Sequence, residues 1–495
     1  MQEIVSVVGG WVWSYWLVGL CLGAGLLFSF LTRFLQVRHF RHMIHLLRSG
    51  KESDRGISSF QALAVSLSGR VGTGNIAGVA AAIGFGGPGA VFWMWVVAFF
   101  GAATAYVEAT LGQIYKEEDE GQLRGGPAFY IEKAIGQKWY GWVFAITTII
   151  ATGLLLPTVQ ANAISTSAEI AFGTNGTLDT ILGTISYTKL TAAIIVVSIL
   201  GFIIFGGVKR IAHVTQVIVP FMALAYIVIA IGVVLWNIAE LPKVIGLIVN
   251  DAFTPMAGIG AAIGWGVKRG VYSNEAGQGT GAHAAAAAEV DHPAQQGLVQ
   301  AFSVYVDTLL VCSATAFMIL ITGAYNVRHE VTGAIVFPSE IVTVATDPNS
   351  AGFTQAALEF VFPNVGALFV AFALFFFAFT TILAYYYIAE TNVAYLRRYF
   401  RIPTDIAILK LLMIGSVFYG AVKTASLAWG LGDIGVGLMA WLNIIAILIL
   451  FFMGKPALKA LDDYERQKNA GVTSYSFDPV SLGIKNADFW ENPSE

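Results

Sequence analysis

Between Ser66 and Trp95 the chain reads SLSGRVGTGNIAGVAAAIGFGGPGAVFWMW. Its first half crowds Gly69, Gly72, Gly74 and Gly78 together with Ser66, Ser68, Thr73, Asn75 and a charge, Arg70. Each glycine inside a helix costs about 1 kcal/mol relative to alanine, so this stretch is built to interrupt a helix. An interruption frees peptide N–H and C=O groups. The N–H groups suit a carboxylate and the carbonyls suit Na⁺, while the ends of the half-helices add dipole charge of matching sign. Close packing through the GxxxG pair Gly74–Gly78 is the plainer explanation. Packing alone, however, leaves Ser68, Thr73 and Asn75 without a purpose. A nucleotide loop fits poorly, because the spacing is GxGxxxG and no βαβ context surrounds it.

A second glycine-rich stretch, PMAGIGAAIGWGVKRGVYSNEAGQGTGAHAAAA, runs from Pro255 to Ala287 and offers two places to break. Gly264–Gly266 around Trp265 lies nearer the middle of its apolar run, so Gly264, Trp265 and Gly266 are expected to contribute to a site there. Gly277–Gly281 falls nearer one end. Paired interruptions in corresponding halves of a chain are the sequence mark of a transporter built from inverted repeats.

These stretches must be positioned by the elements around them. The chain has 495 residues, 56% hydrophobic and 12% charged, with mean hydropathy +0.70 and net charge −3. Soluble proteins carry about 25% charged residues, so this composition cannot cover a water-facing surface and predicts an all-α polytopic membrane protein. Nothing in the net charge suggests a nucleic-acid partner. Spans of about 20 apolar residues are expected near 12–34, 62–84, 90–115, 142–171, 189–206, 214–236, 253–282, 298–322, 358–388, 407–427 and 433–453. This makes about 11 transmembrane helices on that length criterion. The acidic leader and long apolar run at the start predict a retained first span rather than a cleaved signal. Cys21 and Cys312 lie in apolar runs and imply no disulfide.

Lys and Arg collect in alternate loops: Arg33, Arg38, Arg41, Arg48, Lys51 and Arg55; Lys116, Arg124, Lys133 and Lys138; Lys209 and Arg210; Arg397, Arg398 and Arg401; and Lys455, Lys459, Arg466 and Lys468. By the positive-inside rule the N-terminus is outside and the C-terminus cytoplasmic. The expected organisation is one transporter domain over 1–455, with an added first helix at 12–34, a first repeat at 60–236 and a second at 250–453. A polar, partly disordered cytoplasmic tail is expected over 456–495.

Three strings, GRVGTGNIAGVAAAIGFGGPGAVFWMW (Gly69–Trp95), GGPAFYIEKAIG (Gly125–Gly136) and GVKRGVYSNEAGQGTGAHAAAAAEVDHPAQQGL (Gly266–Leu298), resemble the alanine/glycine:cation symporter family, also called sodium:alanine symporters. The likeness covers about 12–455 and includes the amino acid–polyamine–organocation superfamily's leucine-transporter-like, five-plus-five inverted repeat (spans 2–11) with two discontinuous helices. It implies Na⁺-driven import of alanine, glycine and similar small amino acids across a prokaryotic inner membrane, with Na⁺ as coupling ion, no organic cofactor and no obligatory protein partner. Carried over residue by residue, it implies that the amides of Thr73 and Gly74 take the substrate carboxylate and that the Asn75 side-chain oxygen serves substrate or ion. It implies a sodium site from the carbonyls of Ser68, Val71 and Phe377 and the hydroxyls of Thr380 and Thr381. Gln160, from ATGLLLPTVQANAISTSAEI, is the expected substrate contact on the fourth span, and Trp265 the expected cap. Interhelical bonding of Gln160, and a Thr380 hydroxyl bonded to its own helix, are the alternatives.

Arg70 requires a partner or a watery cavity at mid-membrane, and Glu108, Glu275 and Asp307 are the candidates. His39, His42 and His45 read as one face of a basic juxtamembrane helix rather than a metal triplet. Alternative functions are a proton-coupled carrier, a Na⁺-independent exchanger, a channel and a membrane-embedded enzyme; no catalytic cluster speaks for the last.

Overall fold

The computed structural model describes residues 2–48, 57–206, 208–254, 256, 258–329, 332–400 and 405–491. Lys51, Arg55, Pro255 and Arg401, and the side chains of Arg48 and Lys209, lie outside them. Continuous apolar runs leave no water to satisfy peptide groups, so each run folds as a helix that satisfies its own. The helices are α1 (Gln2–Val12), α2 (Tyr15–Leu31), α3 (Phe40–Arg48), α4 (Ser59–Arg70), α5 (Val79–Gly86), α6 (Gly89–Ile114), α7 (Lys138–Phe172), α8 (Tyr187–Ile204) and α9 (Val208–Trp236). Then follow α10 (Leu241–Phe253), α11 (Ile259–Asn274), α12 (Thr280–Ala287), α13 (Pro293–Thr322), α14 (Gly352–Val361), α15 (Gly366–Arg397), α16 (Asp405–Val422), α17 (Ala425–Met453) and α18 (Pro456–Asn469). Short antiparallel hairpins, such as Glu117–Asp119 with Gln122–Arg124, close some loops.

Among the described residues eight helices are long and apolar enough to cross a membrane, and nine if the bent pair α1–α2 counts as one. The pairs α4–α5 and α11–α12 are the two interrupted segments. Helices α6, α13 and α15 form the interior, with buried residues around most of their circumference. By contrast α8, α9 and α16 expose Phe202, Phe221, Leu224 and Leu411, as a lipid-facing helix does. Two helices widen locally. In α7 the π turn Ala151–Leu155 precedes Pro157, whose missing N–H and ring would otherwise break the ladder. In α13 the π turn Tyr305–Cys312 carries Asp307 inward.

Three expectations need correction. The first helix does not begin near residue 12: it begins at Gln2 and bends by 41° between α1 and α2. The second interruption is not at Gly264–Gly266, through which α11 runs unbroken. It falls at 275–279, where Glu275, Gly277 and Gly279 adopt φ of 58°, 88° and 82°. A glycine flanked by helix formers only weakens a helix, whereas residues in the left-handed region end one. Gly266 instead lets α11 close on α6, for a Cβ there would stand 2.6 Å from that of Trp93.

The tail, expected to be polar and partly disordered, is folded and docked. Helix α18 buries Ala457, Ala460, Leu461 and Tyr464. Asp462 pairs with Arg33 at 2.6 Å and Glu465 with Arg38 at 2.8 Å. Tyr464 bonds His42 at 2.8 Å, and Asp463 meets His292 at 3.2 Å. Further on, the Trp490 indole donates to the Gln113 carbonyl at 2.9 Å, and the Lys116 ammonium lies 4.4 Å above the Phe489 ring. The polar composition hid an amphipathic helix whose partners are the basic loops.

This docking depends on pH. Burial first, then the charges of Lys468, His39 and His45, bring His42 from its ordinary 6.5 down to about 4. Burial also lowers His39 and His292. The docked His42 therefore resists protonation, and undocking of the tail lets it bind a proton more readily. Docking strength is therefore constant above about pH 6.5 and declines as pH falls toward about 4. Hydrogen exchange of residues 456–469, corrected for intrinsic rates, is expected to show protection falling over that window; a flat profile contradicts the assignment.

Candidate functional site

Helix α4 ends where Val71, at φ −78° and ψ 84°, leaves the helical region. A π turn over Gly74–Gly78 then leads into α5. Ser68 through Gly78 is buried, so each peptide group freed here must find a partner inside the protein. Gly72 N–H donates to Asn75 Oδ1 at 2.8 Å. The Thr73 N–H and hydroxyl both donate to Gln160 Oε1, at 3.0 and 2.7 Å. A Cβ on Gly72 would overlap the Thr381 hydroxyl and stand 3.0 Å from Gln160 Oε1, so no side chain fits at this position.

Across this break runs α15. Thr381 Oγ1 donates to Ser68 O at 2.6 Å and lies 3.0 Å from Phe377 O. Thr380 Oγ1 bonds Phe376 O and Phe377 O of its own helix at 2.9 and 3.0 Å. Thus Ser68, Phe377 and Thr381 present hard oxygens to one another, the donor type that small hard cations select. Thr380 adjoins them, facing its own helix. Val71, at the C-terminal cap of α4, has a peptide turned out of the helical direction.

Asn75 is fixed at both ends of its amide. Its oxygen serves the Gly72 N–H. Its nitrogen donates to Asp307 Oδ1 at 2.6 Å and to Asp307 O at 3.2 Å. Asp307 also accepts from Ser273 Oγ, at 3.0 and 2.9 Å, and from Thr308 Oγ1 at 2.7 Å. One buried carboxylate thereby joins the first break to the end of α11. Gly74 packs there as well, since its Cβ would lie 3.2 Å from that of Ser273. Sequence reasoning named Asp307 only as a partner for Arg70 and passed over Ser273. The signal for Asp307 was an acid inside a span; Ser273 carried none.

The other expected residues lie apart. Gly264, Trp265 and Gly266 sit eight residues or so, about 12 Å at the helical rise, from Ser273. Trp265 stacks on Phe85 at 4.6 Å between ring centres. Beside it Arg269 binds Asp433 through both nitrogens at 2.8 and 3.3 Å, and Trp429 lies 4.1 Å from the guanidinium. Trp265, Gly264, Lys268, Arg269, Trp429 and Gln2 line a cavity of about 530 Å³. The second broken segment therefore meets Gly74 and Asn75 through Ser273, not through Gly264–Gly266. Asn162 bonds the carbonyls of Gly420 and Lys423 at 3.0 and 2.6 Å and ties α7 to α16.

Two interrupted helices meeting around buried polar groups define a secondary transporter of the leucine-transporter-like fold. The solved structure of MhsT in complex with L-phenylalanine shares that fold, with TM-score 0.50 at 16% identity over 79% of this chain and 98% of the other. The sodium:alanine symporter family model matches residues 1–478, and the chain belongs to that family. It is 57% identical over 495 residues to YrbD of Bacillus subtilis (strain 168), covering 99% of this chain and 98% of that one. It is 51% identical over 454 residues to the sodium/proton-dependent alanine carrier protein of Bacillus sp. (strain PS3), covering 91% and 97%. To the sodium/alanine symporter AgcS of Methanococcus maripaludis it is 36% identical over 483 residues, covering 94% and 99%.

Asn75→Ala strands both the Gly72 N–H and part of Asp307. A buried polar group left without a partner costs about 1–3 kcal/mol. The thermal midpoint of the purified protein is expected to fall by several degrees, read by differential scanning fluorimetry in detergent.

Proposed function

We propose that this protein is a Na⁺-coupled symporter that imports alanine and similar small neutral amino acids, and that both ligands bind at the Ser68–Asn75 interruption. The observation that carries the reading is the meeting of α15 with the break, where Thr381 Oγ1 lies 2.6 Å from Ser68 O and 3.0 Å from Phe377 O. Na⁺ bound by the Ser68, Val71 and Phe377 carbonyls and the Thr380 and Thr381 hydroxyls pins the first broken helix to α15. The substrate carboxylate takes the amides of Thr73 and Gly74, displacing Gln160 Oε1 from Thr73, and the Gln160 side chain then serves the bound amino acid. Membership of the family, and the names of the relatives, support sodium and alanine as the ligands. Transport on this reading needs no covalent chemistry.

The two interrupted helices stand at corresponding places in two halves of five spans, α4–α9 and α11–α17, each broken pair counted as one and the short α14 left out, and these halves rock about the site. The tail-bearing face is cytoplasmic: Arg33, Arg38, Lys116 and Lys133 all meet the tail there, as the positive-inside rule favours.

Labelled alanine uptake into proteoliposomes tests the reading. An inward Na⁺ gradient is expected to drive accumulation, with unlabelled glycine run as competitor. Accumulation driven equally by a proton gradient without Na⁺, or exchange that ignores both gradients, replaces the sodium assignment. Thr381→Val keeps the side-chain shape and removes one oxygen. Its half-saturating Na⁺ concentration is expected to rise about tenfold or more, matching the 1.5–3 kcal/mol typical of a bond to a charged group. Gly72→Ala is expected to abolish uptake while the protein still reaches the membrane.

A further inference from the structure

Arg70 lies at the end of α4, just before the break, and is 1% exposed. Its Nη1 donates to Gln300 O at 2.9 Å and also bonds the Ser303 hydroxyl, both on α13. Its Nε and Nη2 have no hydrogen-bond partner. Nη2 rests against α12, where a Cβ on Gly281 would stand 2.7 Å away. The charge is thus held by neutral acceptors, although the buried carboxylates Glu275, Glu108 and Asp307 all act on it. Glu275 Oε1 and Glu108 Oε1 likewise lack hydrogen-bond partners. Glu275 sits at the second break with φ 58°, and its Oε2 lies 3.2 Å from where a Gly69 Cβ would be. Arg70 and Glu275 thus adjoin the same few residues, Gly69, Thr280 and Gly281, each half-satisfied, and Glu108 Oε2 accepts from the Gly279 N–H beside them.

The foot of α4 is also fastened. Ile57 N–H donates to Ala287 O at 3.0 Å, and Glu289 N–H to Ile57 O at 3.2 Å. The Gln113 amide and Lys116 ammonium hold Ala288 O at 2.8 and 3.1 Å. Helix α4 cannot leave α12 and α13 without breaking these bonds. Among the described residues of α4, Arg70 carries the side-chain hydrogen bonds across that seam in its buried part.

We propose that Arg70 is a two-position latch for the tail-bearing side of the transporter. Seated on Gln300 and Ser303, it holds α4 against α12 and α13 and keeps that side shut. Swung onto Glu275 and Glu108, it exchanges neutral acceptors for carboxylates and lets α4 part from α13 and, at its foot, from α12. An element with two discrete, incompletely satisfied arrangements is what a switching transition uses. The latch is a positioning device: it deepens the symport reading, on which it rests, without touching the ligands assigned there.

The test measures opening directly. Ala288 is fully buried in the seam, and the native Cys21 and Cys312 are buried too. Maleimide labelling of purified full-length Ala288→Cys protein, well below its melting temperature, reports separation of α4 from α12. Adding Arg70→Ala is expected to raise the labelling rate at least tenfold, and Arg70→Lys to give a smaller rise. Gly281→Ala, which crowds Nη2 off its seat while keeping the arginine, is expected to raise it as well. Glu275→Gln removes the second seat and is expected to lower it below the parent rate. Labelling within twofold of the parent for both Arg70→Ala and Gly281→Ala overturns the latch. If Arg70→Ala is not recovered folded, Gly281→Ala and Glu275→Gln decide by the same rates. Labelling needs no substrate or gradient, so a parent protein that fails to accumulate alanine refutes the symport reading and leaves the latch to its own result.

Discussion

Everything at the centre of this protein follows from one constraint: a peptide group without water or helix around it must be bonded by something else. At Gly72 and Thr73 the something else is two side chains, Asn75 of the break itself and Gln160 of α7, and at Ser68 it is Thr381 of α15. Their positions are set by devices elsewhere. The π turn before Pro157 keeps α7 continuous up to Gln160, and the π turn over Tyr305–Cys312 brings Asp307 under Asn75. Exchangeable bonds at a few peptides are thereby embedded in helices that cannot easily unwind. The same shortage of water makes each half-met group here a candidate moving part.

Much of this was legible in residue types. Glycines mixed with hydroxyls and an amide marked the stretch that holds the first break, because no packing argument needs Thr73 and Asn75 beside Gly72 and Gly74. The Thr380–Thr381 pair was found by resemblance, and Thr381 faces the break. Of the two breaks offered in the second segment, Gly264–Gly266 was preferred for its depth in the apolar run, but the break at 275–279 overlaps the other, Gly277–Gly281. Gly264 and Gly266 remain helical since α6 packs closely against Gly266, while Glu275, whose left-handed conformation no sequence rule flags, begins the real interruption. Ser273 was invisible, for a lone serine on a helix has no distinguishing pattern until its neighbour Asp307 is placed.

Charge told a similar story. The basic loops were plain from composition, but their partners were not. Asp462, Asp463 and Glu465 look like ordinary solvated acids, and only the fold shows that α18 brings them to Arg33, His292 and Arg38. For Arg70 the expectation is a partner or a watery cavity, with Glu108, Glu275 and Asp307 as the candidate partners. It binds a carbonyl and a hydroxyl instead, because the helix across from it turns Gln300 and Ser303 inward.

The docked tail also imposes an order on biogenesis. Its seat at Gln113 and Lys116 emerges from the ribosome some 375 residues before Trp490, its occupant. The spans described here can therefore be inserted while that face is still bare, and only then can the segment around Trp490 settle across it. Assembly of the bundle and sealing of its rim are separate events, the second waiting on synthesis of the segment around Trp490.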